Sequence, residues 1–141
     1  MLKARDMMSK DVISVARTTC LFEALKTIVE QNVTGLPVVK EDGSLNLVGI
    51  VSEKDFLDLL YGTHNLDTET VGSIMTSSPR YIDENATVRD VCDCMRSNTF
   101  RRIPVLSKGK LLGIVSRRDI VAFMKNRLER VGNLDSFLEQ Q

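Results

Sequence analysis

Apolar and polar positions along this chain form a succession of runs that occurs twice. In residues 20–31 the apolar positions Leu21, Ala24, Leu25 and Ile28 recur at helical spacing, which predicts an amphipathic helix. The short apolar run DVISV precedes it and LPVV and LVGIV follow it, which predicts a strand before the helix and a hairpin after it. The succession then returns. Tyr81 and Ile82 begin a strand, Val88, Val91, Cys92 and Met95 repeat the helical stripe, and IPVL and LLGIV repeat the hairpin. Behind each Gly-Ile-Val a further helix is expected, with Phe56, Leu57 and Leu60 apolar in the first copy and Ile120, Val121 and Met124 in the second. Each copy therefore reads as strand, helix, strand, strand, helix. Thr87 and Asp90 have the spacing of a capping box at the start of the second copy's first helix. The first copy has Cys20 at that place, so its helix is expected to start on Thr18 or Thr19.

The repeat extends to single residues. Met8 matches Met75 and Pro37 matches Pro104 at an offset of 67, whereas Gly49 matches Gly113 at an offset of 64. The first copy thus carries three extra residues, which fall in KEDGSLNL against SKGKL, a place where a hairpin turn tolerates insertion. The polar stretch 61–70, YGTHNLDTET, reads as the connection between copies. The organisation expected is one repeat at 1–62, a linker at 63–70, a second repeat at 71–125 and a helical tail at 126–141. A unit of about 60 residues has little surface to bury alone. The two are therefore expected to pack sheet to sheet as a pseudo-two-fold pair around one shared core, with a cleft between them. The strands LVGIV and LLGIV are apolar on successive residues, as expected where both faces are covered.

Composition narrows the function. In 141 residues, 43% are hydrophobic and 27% charged, enough for one ordinary core. The 19 basic and 19 acidic residues cancel, so no global field favours nucleic acid or an anionic membrane. Aromatics are only 5% of residues, which leaves few stacking platforms for bases. No apolar run approaches the ~20 residues of a membrane span, and MLKARDMMSKD lacks the apolar core of a secretory signal, so a cytoplasmic location is expected. Three cysteines do not make a disulfide framework, and Cys92 and Cys94 lie two apart on a helix, on different faces. They read as small apolar fillers. No metal-ligand spacing, P-loop or paired carboxylate is present, and the only histidine, His64, lies in the linker, so no catalytic residue is assigned.

The strings RDMMSKDVISV, TGLPVV and LVGIVSEKD, followed by VGSIMTSSPRYI, RRIPVL and LLGIVSRRD, resemble a tandem pair of cystathionine-beta-synthase (CBS) domains, a Bateman module. The likeness covers about residues 1–125, and its specificity lies in the order and spacing of Met, Pro-Val and Gly-Ile-Val-Ser-x-x-Asp, twice over. It implies an α/β (α+β) fold of two β-α-β-β-α motifs, sheets facing, that binds adenosine-containing ligands: AMP, ADP or ATP first, with NAD or S-adenosylmethionine as further candidates. It also implies two clefts. One uses Ser52 and Asp55 with Met75, Thr76, Tyr81, Ile82, Arg101, Arg102 and Ile103, and the other Ser116 and Asp119 with Ser9, Val12, Ile13, Ser14, Thr34, Gly35 and Leu36. Modules of this kind commonly form homodimers, and one lacking an effector domain would signal to a separate protein.

Elementary chemistry fits these positions. A helix start offers unpaired N–H groups and a positive dipole end, which suit phosphate. A serine hydroxyl can donate to a phosphate oxygen, whereas a carboxylate only accepts and so suits a ribose diol. Adenine is expected between Ile82 and Ile103, or between Ile13 and Leu36, with backbone beside Pro37 or Pro104 reading its polar edge. Ser-x-x-Asp taken alone reads first as a helix cap, worth ~1 kcal/mol. Within the tandem pair the binding reading leads. Arg101 and Arg102, with Arg80 nearby, are expected to draw phosphate to the cleft built around Asp55, and Arg117 and Arg118 form a further pair at the other helix start. Met7, Met8 and Met75 are expected to pack between the copies. In the tail, Leu128, Val131, Leu134, Phe137 and Leu138 form an apolar stripe interrupted by Gly132, suited to docking on the module or on a second chain. The competing class is a non-sensing interaction module whose clefts are vestigial.

Overall fold

The computed structural model describes residues 2–97 and 101–132. They form a mixed α+β protein of two compact units. One, the N-unit, is Ile13–Pro79, and the other, the C-unit, joins the leader up to Val12 to residues from Arg80 onward.

In the N-unit, β1 (Val15–Ala16), α2 (Leu21–Glu30), β2 (Gly35–Val39), β3 (Leu47–Ser52), α3 (Glu53–Asp58) and β4 (Thr76–Ser77) follow in order. Its sheet runs β1-β2-β3-β4, with β1 parallel to β2 and the other pairs antiparallel. The C-unit opens with the short helix α1 (Ala4–Met7), then holds β5 (Ile82–Asp83), α4 (Val88–Ser97), β6 (Arg102–Ser107), β7 (Lys110–Ser116) and α5 (Arg117–Val131). Its sheet is β5-β6-β7, again parallel then antiparallel. Ser9 bridges to Ile114 where the N-unit has β4 beside β3. Even the register irregularity repeats, between Val38 and Val39 in one unit and Val105 and Leu106 in the other. The three extra residues of the first copy enlarge its hairpin turn. In the second copy the turn is reduced to Lys108 and Gly109, both at positive φ, as a tight two-residue hairpin requires.

The spatial unit is not the sequence copy, because each copy sends its leader into the other's unit. Ala4 and Arg5 donate their backbone N–H groups to the carbonyls of Ala86 and Glu84, at 2.8 and 3.1 Å. Val71 and Gly72, the same positions one repeat later, donate to Thr19 and Arg17 at 2.8 and 2.9 Å. Behind each contact the pre-strand methionine lies across a glycine of the hairpin. A Cβ on Gly113 would stand 2.5 Å from the Met8 sulfur, and one on Gly49 would stand 2.6 Å from the Met75 sulfur. The glycine and the methionine therefore repeat together because each fills the space the other leaves.

Buried residues form two clusters, one per unit, where the sequence suggests one shared core. Val15, Leu21, Ala24, Ile28, Leu36, Val38, Val51 and Phe56 belong to the N-unit cluster. Ile82, Val88, Val91, Met95, Ile103, Val105, Val115 and Ile120 belong to the C-unit cluster, joined by Ala4 and Met7 of the leader. The inserted leader supplies the extra apolar surface that a 60-residue copy lacks, so each unit can close its own core. The helical stripes of α2 and α4 are buried as the spacing predicts. On α3 the predicted stripe is only partly right, because Phe56 and Leu59 are buried while Leu57 and Leu60 are exposed. The helix is six residues long and tightens into a 3-10 turn over Leu59–Tyr61, and that change of pitch moves the buried position from Leu60 to Leu59. LLGIV likewise alternates, with Leu111 and Val115 buried and Leu112 exposed.

The α2 N-terminus departs from expectation too. The helix begins at Leu21 with Cys20 as an N-cap that contributes no side-chain bond, while the Thr19 hydroxyl accepts from Ala16 N–H instead. The missing acceptors come from the linker. Leu21 and Phe22 donate to the carbonyls of Glu69 and Leu66, both at 2.9 Å. Within that linker, the Glu69 carboxylate accepts from His64 Nδ1 at 2.9 Å and from the Asn65 backbone. The stretch that reads as a polar connection is thus a capping element. α4, by contrast, carries the predicted capping box, with Thr87 and Asp90 exchanging backbone-to-side-chain bonds of 3.1 Å in both directions.

Candidate functional site

Each Gly-Ile-Val strand runs straight into a helix, so a Ser-x-x-Asp sits at each junction. At the C-unit junction Ser116 N–H donates to Asp119 Oδ2 at 2.8 Å, and Asp119 N–H donates to Ser116 Oγ at 3.0 Å, a complete reciprocal cap. At the N-unit junction Ser52 N–H donates to Asp55 Oδ2 at 2.8 Å, and the Ser52 hydroxyl turns onto the same oxygen at 3.1 Å. The cap reading of these residues is therefore correct. It does not exhaust them, since in both aspartates Oδ2 takes the cap and no hydrogen bond to Oδ1 is formed among the described residues. Both side chains are half-buried at the surface. One carboxylate can thus hold its helix with one oxygen and accept hydroxyl hydrogens with the other.

The helix starts are less open to anions than the sequence suggests. In each, the first amide is already bonded across the sheet edge, Glu53 N–H to Thr34 O at 3.0 Å and Arg117 N–H to Arg101 O at 3.1 Å. With Asp119 N–H committed to Ser116, the amide of Arg118 is what remains for a ligand in the first turn of α5.

These cross-edge bonds also decide which residues share a site. Gly35 pairs with Ser52 in the β2-β3 ladder and Arg102 pairs with Ser116 in the β6-β7 ladder. Thr34 and Gly35 therefore stand beside Ser52 and Asp55, and Arg101 and Arg102 beside Ser116 and Asp119. The sequence reading assigns each of these pairs to the helix start of the other copy; within its own unit, the strand register sets each beside the serine that closes the same hairpin. An antiparallel hairpin returns its chain to its own beginning, so the residues before Pro37 or Pro104 must end beside the serine that closes the same hairpin. Met75 and Thr76 join the N-unit through β4, where Thr76 pairs with Ile50. Ser9 joins the C-unit through bonds of 2.8 and 3.0 Å with Ile114. Val12 belongs to the C-unit leader, whereas Ile13 and Ser14 open the N-unit, and Tyr81 and Ile82 open the second part of the C-unit.

Of the expected adenine walls, Leu36 and Ile103 are each 1% exposed, and Leu36 belongs to the core of the N-unit and Ile82 and Ile103 to that of the C-unit. Pro37 and Pro104 are buried as well. Ile13 and Tyr81 are exposed, and they remain the apolar and aromatic surfaces among the candidates.

A separate feature escaped the sequence reading. On the helical side of the N-unit a cavity of about 530 Å³ is lined by residues that include Leu25, Ile28, Phe56, Leu57, Leu60 and His64. Beside it Leu57, Leu60 and Tyr61 are 60%, 80% and 92% exposed. The apolar excess of α3 was legible; which side of it faces outward was not.

No group of three or more His, Cys, Asp or Glu side chains that could hold a metal occurs among the described residues. Cys92 lies half-buried, and burial pushes its thiol up from the ordinary range, with Asp93 adding to the effect, which opposes thiolate reactivity. No helix among the described residues is long and apolar enough to cross a membrane.

Two small sheets with helices, each carrying the same capped strand-to-helix junction, define a tandem α+β repeat protein. The chain belongs to the CBS domain family, whose model matches residues 4–62 and 71–126. It is similar to the uncharacterized protein YlbB of Bacillus subtilis, 33% identical over 94% of this chain and 88% of that protein. Its fold is similar to the crystal structure of CBSX2 in complex with AMP, with a TM-score of 0.79 and 31% identity over 89% of this chain and 98% of that one. Full-length CBSX2 of Arabidopsis thaliana is longer, and this chain spans 56% of it. It is also similar to the CBS domain pair of protein MJ0100 in complex with 5′-methylthioadenosine and S-adenosyl-L-methionine, at a TM-score of 0.74 and 26% identity over 90% of this chain and 98% of that one.

Proposed function

We propose that this chain is a non-catalytic, cytoplasmic ligand-sensing module that binds adenosine-containing compounds at its two Ser-x-x-Asp helix starts and transmits the bound state to a separate protein. AMP, ADP and ATP are the first candidates, with NAD and S-adenosylmethionine behind them. The observation that carries the reading is the divided carboxylate. A purely structural cap needs one oxygen, and both half-buried aspartates keep the second outside any hydrogen bond formed among the described residues. The bound AMP of CBSX2 and the two adenosyl compounds on the MJ0100 pair support the ligand class. Transmission follows if the ligand favours one state of the protein over another, since only differential affinity shifts an equilibrium.

Thermal-shift titration with AMP, ADP, ATP, NAD and S-adenosylmethionine tests it. A ligand at a hundred times its Kd should stabilise the fold by about 2.7 kcal/mol, by mass action. Asp55→Asn and Asp119→Asn, which keep an oxygen for the cap, should reduce that shift. If no compound shifts the wild type, the sensing reading is wrong. A second reading, an oligomerisation or protein-contact module, is favoured by the exposed row of Leu57, Leu60 and Tyr61 beside the apolar cavity, which suits a homodimer or an effector face. Sedimentation of Leu57→Asp with Leu60→Asp against the wild type distinguishes a dimer from a monomer.

A further inference from the structure

Two methionines hold the same place in the two units. Met8 and Met75 each stand directly before the residue that covers the edge of a hairpin strand, Ser9 beside Ile114 on β7 and Thr76 beside Ile50 on β3. Each lays its sulfur across the glycine one residue earlier on that strand, where a Cβ would be 2.5 Å from Met8 Sδ or 2.6 Å from Met75 Sδ. The carbonyls of the covering residues are as close, since Ser9 O and Thr76 O would lie 2.8 and 2.9 Å from the same Cβ positions. The sulfur and the edge segment it introduces therefore share one seat. Exposure separates this pair from the methionines of the interior. Met7 and Met95 are 6% and 5% exposed within the C-unit core, whereas Met8 and Met75 are half-buried and pack at the margins of the two cores.

A peroxide can thus reach the thioethers that hold the crossings while those that fill the core are shielded. In the reaction a sulfur lone pair attacks one peroxide oxygen, an S–O bond forms as the O–O bond breaks, and the other oxygen leaves as water, so sulfur is oxidised as the peroxide is reduced. The product is a poor occupant of the same seat. A sulfoxide is polar and carries an added oxygen, whereas the thioether lies between glycine backbone and an apolar cluster. Holding the polar S–O group there costs free energy that is recovered when the side chain turns out to water. The glycine is then left bare, and the edge residue that follows the methionine loses its support.

We propose that Met8 and Met75 are oxidation-sensitive catches: conversion to the sulfoxide by a peroxide releases the segment that each one holds, uncovering the edge of β7 at Ile114 and of β3 at Ile50, and reduction of the sulfoxide closes it again. The strands so uncovered are the ones that end at Ser116 and Ser52. The catch works whatever those two helix starts bind.

Treatment of the full chain with hydrogen peroxide, read by peptide mass mapping and amide hydrogen exchange, tests it. Met8 and Met75 should gain oxygen about tenfold or more faster than Met7 and Met95. The Ser9 and Ile114 amides, which bond each other's carbonyls at 2.8 and 3.0 Å, should then lose their protection. Their exchange should quicken about tenfold or more and Tm should fall by about 5 °C or more. Methionine sulfoxide reductase with a thiol reductant should restore both, a recovery read on the wild type. Met8→Leu with Met75→Leu keeps apolar side chains of similar volume without sulfur, and this variant, folded by circular dichroism, should keep its protection and Tm under the same peroxide. Met124→Leu, at the half-buried methionine of α5 that precedes no edge segment, should leave the wild-type response in place. The proposal is overturned if Met7 or Met95 oxidises as fast as Met8 and Met75. It is equally overturned if Met8 and Met75 are fully oxidised while Ser9 and Ile114 stay protected, or if the double leucine variant loses protection as the wild type does.

Discussion

Replacing Gly113 by alanine adds one methyl group where the leader of the first copy crosses the second hairpin. In an ordinary strand this exchange favours the folded state by about 0.5–1 kcal/mol, because alanine has less freedom to lose. Here the sign should reverse. The new Cβ would lie 2.5 Å from Met8 Sδ and 2.8 Å from Ser9 O, both well inside contact distance. The sulfur ends a flexible side chain and can withdraw for about 0.5–1.5 kcal/mol of rotamer strain. The carbonyl is backbone, and it accepts from Ile114 N–H at 3.0 Å while Ser9 N–H donates to Ile114 O at 2.8 Å. Moving it away weakens two hydrogen bonds of about 1 kcal/mol each. The net loss should be about 2–3 kcal/mol, or a fall in Tm of about 6–15 °C for a chain of this length. Differential scanning calorimetry measures it. Adding Met8→Ala to Gly113→Ala should recover at most the rotamer part, because the Ser9 carbonyl remains in place. A Gly113→Ala protein melting within about 2 °C of the wild type would refute the account of the paired methionine and glycine, and with it the claim that the leader is held at this crossing.

The remaining predictions concern caps, charge and burial. Ser116→Ala removes the acceptor of Asp119 N–H and should cost about 1 kcal/mol in urea denaturation, whereas Ser52→Ala, whose hydroxyl donates to the Asp55 carboxylate, should cost clearly less. The His64 imidazole and then the Asn65 amide hold the Glu69 carboxyl below its usual range. A depressed carboxylate stabilises the fold above its unfolded value of about 4.3 and ceases to do so as pH falls through the lower folded value. Glu69→Gln should therefore lower Tm at pH 7, with the difference from wild type vanishing in acid; a difference that persists unchanged at pH 3 would separate the effect from ionisation. Leu21→Ala, at a fully buried position, should cost about 2–5 kcal/mol, while Leu57→Ala on the outward side of α3 should stay within about 0.5 kcal/mol in a monomer.

What the sequence determined by itself is local or periodic. The doubled succession of strands and helices, the stripes of α2 and α4, the Thr87–Asp90 cap and the two Ser-x-x-Asp junctions were all legible, because helical spacing and i to i+3 bonds are written in neighbouring residues. The tertiary structure decided the rest. It placed Arg101 and Arg102 beside Ser116, sent each leader into the other copy's unit, buried Leu36 and Ile103 instead of presenting them, and capped α2 with carbonyls from Leu66 and Glu69. Each of these outcomes joins residues far apart in the chain. Their pairing follows from strand register and from which apolar surfaces meet, and no short window of sequence contains both partners.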